Sequence, residues 1–67
     1  MKKYQRLSTN ILERERSLLE YDIAVWEDTL SKTQSALIVR YLTHAIKQAK
    51  EKIHAIEAEL LYREHQQ

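Results

Sequence analysis

The sequence predicts an all-α protein: an antiparallel two-helix hairpin, coiled-coil-like, that dimerises into a four-helix bundle. Three observations lead there. The 67 residues include no Gly and no Pro, so neither strong helix breaker interrupts the chain. Apolar residues recur at spacings of three and four in both halves, the period of one helical face and not of a strand. The two halves cannot share one straight helix, because at ~100° per residue their apolar faces fall on nearly opposite sides of a common cylinder.

The first arm is expected over residues 4–30. One edge of its apolar stripe is Leu12, Leu19, Ile23, Trp26 and Leu30, and the other is Tyr4, Leu7, Ile11, Leu18 and Val25. Asn10 reads as a capping signal, which makes residues 1–9 either an extra frayed turn or the true start. Two acids, Glu15 and Asp22, fall inside this stripe. An unpaired buried carboxylate costs several kcal/mol, so a wet line is expected between the two edges. The first edge then closes the hairpin, and the second is left for another helix.

The turn is expected at about residues 29–33. No heptad frame carries Leu30 into Val39, and Asp28-Thr29-Leu30-Ser31-Lys32-Thr33 supplies polar groups where the frame fails. Ser31-Lys32-Thr33-Gln34 fits a capping box. The lack of Gly there is awkward, since left-handed helix stops prefer it.

The second arm is expected over residues 33–64. Val39, Leu42, Ile46, Ala49, Ile53, Ile56 and Leu60 alternate in steps of three and four, an a/d seam held for about three heptads. Folding back predicts Trp26 opposite Val39, Ile23 opposite Leu42, Leu19 opposite Ile46 and Leu12 opposite Ile53. Charge agrees: residues 13–28 carry six acids against Arg14 and Arg16, while residues 32–52 carry five bases against Glu51. Opposite flanks favour antiparallel neighbours. The chain is thus read as one domain, 1–67, with one long helix as the structural alternative.

Little chemistry is offered. Without Cys there is neither a disulfide nor a thiolate metal site. Glu51-Lys52-Ile53-His54 matches the Glu-x-x-His half-site of di-iron bundles, but with Ile53 in the seam both ligands point outward. His44 and His54 do not share a face, and His65 lies near the end of the arm. No Gly-rich loop or nucleophile–base constellation occurs. The reading is non-enzymatic, with no cofactor and no metal. No signal-peptide pattern or run long enough to span a bilayer is found, which places the chain in the cytoplasm.

A core of this size contributes only about 3–5 kcal/mol without a supplement, so a partner is expected. Trp26, Leu30, Leu37, Ile38 and Tyr41, with Tyr21 and Val25 close by, are more apolar groups near the turn than one seam can hide, and aromatic types are enriched at interface hot spots. Leu18 of the spare edge joins Tyr21, Val25, Trp26, Leu37, Ile38 and Tyr41. They are the candidate protein interface, for a second copy or for another protein. The function implied is a protein-binding module, a small regulator, adaptor or inhibitor that self-associates as a homodimer. Two alternatives stand beside it. One is a nucleic-acid-binding hairpin using Arg40, Lys47, Lys50 and Lys52, although a net charge of +1 argues for little beyond a solvated flank. The other is a purely structural coiled-coil segment.

Overall fold

A computed structural model describes residues 2–66, with side chains from Tyr4 onward. Its helices are α1 (Lys2–Gln5), α2 (Thr9–Lys32) and α3 (Ala36–His65), and α2 and α3 pack against each other as a hairpin. The molecule measures 49 × 17 × 16 Å.

The helix ends follow from hydroxyl caps. Ser8, at φ −68° and ψ 158°, accepts the Ile11 N–H on its Oγ at 3.2 Å and starts α2. The expected signal at Asn10 therefore lies inside the helix. At the other end, Thr33 turns extended at ψ 147° while its N–H still donates to the Thr29 carbonyl at 2.9 Å. Ser35 then caps α3, its Oγ accepting the Ile38 N–H at 3.3 Å.

The expected turn at 29–33 and the Ser31 capping box are accordingly corrected. Ser31 sits in the last turn of α2, where its hydroxyl donates to the Asp28 carbonyl at 2.6 Å. Running α2 on to Lys32 keeps Leu30 packed against the core and brings Lys32 to 3.2 Å from Asp28. No Gly is needed, because the link is extended and no described residue has positive φ. Ser35→Ala is expected to cost about 1 kcal/mol of stability and Ser31→Ala much less. Urea midpoints of the two variants would check which serine is the cap.

The core joins Leu12, Leu19 and Ile23 of α2 to Ile46, Ala49, Ile53 and Ile56 of α3, with Tyr4 of α1. Leu12 and Ile56 are fully enclosed. Leu42 is also buried, and Leu7, Trp26, Leu30, Ala55 and Leu60 are half-buried around the core. Each long helix therefore buries most of the line that its three–four spacing predicts, Val39 at the start of α3 being the exception.

The register differs from the predicted one. Thr9 meets Arg63, Glu27 meets Lys50, and Glu13 and Arg16 share a groove with Glu57 and Leu60. Relative to a pairing of Leu12 with Ile53, α3 is displaced by about two helical turns. The extended link Thr33–Ser35 carries the chain past the end of α2 before α3 turns back. The first turns of α3 consequently overhang, and Val39, expected in the seam opposite Trp26, is 39% exposed. The predicted pairings of Ile23 with Leu42 and Leu19 with Ile46 shift with it.

One continuous first helix from residue 4 is the remaining correction. The chain breaks between Gln5 and Thr9, and α1 folds onto α3. Tyr4 and Leu7, expected on the spare edge, are instead drawn into and against the core.

Candidate interaction surface

The hairpin has two unlike sides. On α2, Glu13, Glu20 and Glu27 stand seven apart on one side of the buried line, and Ile11, Leu18 and Val25 stand seven apart on the other. Glu27 Oε2 lies 4.0 Å from Lys50 Nζ, and the groove beside Glu13 and Arg16 continues to Glu57 and Glu64. This is the charged side. Both groups of the Glu27–Lys50 pair are more than half exposed, so it sets orientation rather than stability. It joins the acidic flank of one arm to the basic flank of the other, as the charge distribution of the sequence implied.

The opposite side mixes apolar and charged groups: Glu15 and Asp22 run between the Ile11, Leu18 and Val25 row and the buried line, and Lys52 and Glu59 border the groove on α3. The matching row on α3 is Tyr41, Gln48, Ala55 and Tyr62, again seven apart. Tyr4 of α1 lies against the middle of this row, beside Gln48, Lys52 and Ala55, and continues onto Ala58 and Glu59. The own N-terminal helix thus occupies the groove towards the open end of the hairpin. Among the described residues, none covers Leu18, Val25 or Tyr41 nearer the turn.

Arg63 fastens α1 there. Its Nε donates to Glu59 Oε2 at 2.7 Å, its Nη1 to Thr9 Oγ1 at 3.1 Å, and its Nη2 to the carbonyls of Tyr4 (3.1 Å), Gln5 (3.5 Å) and Leu7 (2.6 Å). The planar fork can serve a carboxylate and a helix end together, and cations suit the carbonyl end of a helix. Sequence reading missed this residue. Its partners are mostly main-chain carbonyls, which leave no side-chain pattern; only its place four residues after Glu59 was visible.

The predicted interface residues can now be placed. Leu18 (55% exposed) and Val25 (43%) belong to the α2 row, together with Ile11 (51%). Leu37 (77%), Ile38 (43%) and Tyr41 (72%) are carried by the overhang of α3. Tyr21 is exposed at 68%, whereas Trp26 is half-buried and packs against the core. Of the two acids that interrupted the stripe, Glu15 is exposed and Asp22 half-buried. Arg40, Lys47, Lys50 and Lys52 are all exposed, and Lys50 is the one engaged by Glu27. Glu51 and His54 face solvent.

Among the described residues, no group of three or more His, Cys, Asp or Glu is placed to hold a metal ion, and no helix is long and apolar enough to cross a membrane. Compared with protein-family models, curated proteins and solved structures, the chain finds no match in any of the three.

Proposed function

We propose that this chain is a non-enzymatic protein-interaction module, acting in the cytoplasm as a small regulator, adaptor or inhibitor, and that it self-associates. The observation that carries the reading is the uncovered apolar side near the turn. Leu18, Val25, Leu37, Ile38 and Tyr41 are each exposed by two-fifths or more, with the charged Glu15, Asp22 and Arg40 within a helical turn of them. Single exposed apolar residues need no explanation, and the reading rests on how many large apolar side chains so small a chain leaves exposed. Two such sides placed together make a four-helix bundle, and a helix of another protein would be held by the same contacts. The spare basic residues Lys47 and Lys52 leave nucleic-acid binding as an outcome that salt dependence distinguishes.

The test is solution mass by light scattering over a tenfold range of concentration. A mass of twice 8.0 kDa supports self-association. A mass of 8.0 kDa throughout removes it, and leaves the apolar side to a different protein.

A further inference from the structure

The break between α1 and α2 is a point where two sets of hydrogen bonds compete. In a continuous helix, the carbonyls of Tyr4, Gln5 and Leu7 would accept from the N–H groups four residues on, those of Ser8, Thr9 and Ile11. Here Arg63 donates to all three carbonyls, the Tyr4 carbonyl also accepts the Leu7 N–H at 3.3 Å, and Ser8 Oγ takes the Ile11 N–H. Nothing in Gln5-Arg6-Leu7-Ser8-Thr9 forbids a helix, for the chain has neither Gly nor Pro. The apolar period also runs through the break: Tyr4, Leu7, Ile11, Leu18 and Val25 are spaced three, four, seven and seven, a register that a fixed turn does not require.

Straightening this joint carries Tyr4 away from its own α3. Thr9 lies level with Arg63, near the end of α3 at His65. A helix continued back from Thr9 to Lys2 therefore projects roughly 10 Å beyond the hairpin. Tyr4, 7% exposed when docked, would then be bare, and its seat against Ala55 and Ala58 empty.

We propose that a second copy fills that seat: α1 exchanges between two copies, each straightened α1–α2 helix placing its Tyr4 against Ala55 and Ala58 of the other. The exchange remakes the same apolar contact and adds the helical hydrogen bonds of the joint, at the cost of association and of the Arg63 bonds to the carbonyls. Exchange of an identical element is a recognised low-cost route to dimers. This inference rests on the self-association reading and names the segment that passes between copies. It uses the open end of the hairpin, apart from the face near the turn.

The experiment mixes isotope-labelled and unlabelled full chain, unfolds and refolds them together in urea, and records isotope-filtered NOEs. Exchange predicts an intermolecular cross-peak between the Tyr4 ring and the Ala55 methyl. Thr9→Pro should abolish it. Proline suits the first position of a helix and the extended Ser8 before it, but it cannot sit inside a continuous helix. Ser8→Ala, which removes the cap only from the folded-back form, should strengthen the exchanged dimer at least about fivefold. If Thr9→Pro proves unfolded by circular dichroism, the wild-type and Ser8→Ala spectra decide. Only intramolecular Tyr4–Ala55 peaks, in wild type and Ser8→Ala alike, would overturn the exchange. Should that occur in a protein of dimeric mass, self-association through the other face stands; in a protein of monomeric mass at every concentration, both ideas fall.

Discussion

Replacing Ile56 by alanine is expected to leave the chain largely unfolded at 25 °C. Ile56 and Leu12 are the two large side chains enclosed completely. Removing three carbons from such a site leaves a cavity as well as a lost transfer term, together about 2–5 kcal/mol. A single core of this size supplies only about 3–5 kcal/mol, so the loss is comparable to the whole. Ile56→Val should cost roughly 0.5–1.5 kcal/mol and remain folded. Leu61→Ala, at a side chain 55% exposed and outside the proposed interface, should scarcely matter. Helicity by circular dichroism against urea, at one protein concentration because association shifts apparent stability, separates the three. An alanine variant as resistant to urea as the parent would mean that the core does not centre on Ile56.

Val25→Glu is expected to weaken self-association roughly a hundredfold or more while the hairpin keeps its helicity. Val25 is 43% exposed and glutamate is a good helix former, so the folded chain tolerates the change. An association that covers this position must bury an uncompensated carboxylate, a penalty of about 3–5 kcal/mol. Glu20→Gln, on the charged side, is the matched control and should leave the dissociation constant within about twofold. Trp26→Ala is a poorer probe, because Trp26 packs against the core and its loss would confuse folding with association. Gln48 is no neutral control either, since Tyr4 lies beside it. Equal masses for Val25→Glu and Glu20→Gln at every concentration would take the α2 row out of the interface.

Much of the fold was legible because helical period survives without alignment or context. Leu42, Ile46, Ala49, Ile53 and Ile56 are buried in the order that their spacing implies. Register was not legible, since Ser31 and Ser35 are equally eligible as caps and an a/d seam fits itself after a shift of whole heptads. The choice is made by the extended link and by how far α2 continues, and neither is written in apolar spacing. The bend at Ser8 was hidden for a related reason: Tyr4, Leu7 and Ile11 keep their period whether or not the helix turns. Leu18, Val25, Leu37, Ile38 and Tyr41 are exposed, but the excess of apolar groups near the turn could not reveal that Trp26 packs inward. Nor could it show that α3 reaches beyond its neighbour.

The Arg63 clamp has a mechanical consequence. It ties Tyr4 to a residue 59 positions away, so α1 and the end of α3 leave the hairpin together. A force pulling those ends apart would load the clamp first, then part α2 from α3 one turn at a time from the open end. Such unzipping proceeds at low, nearly steady tension, unlike the shearing of two helices pulled from opposite ends.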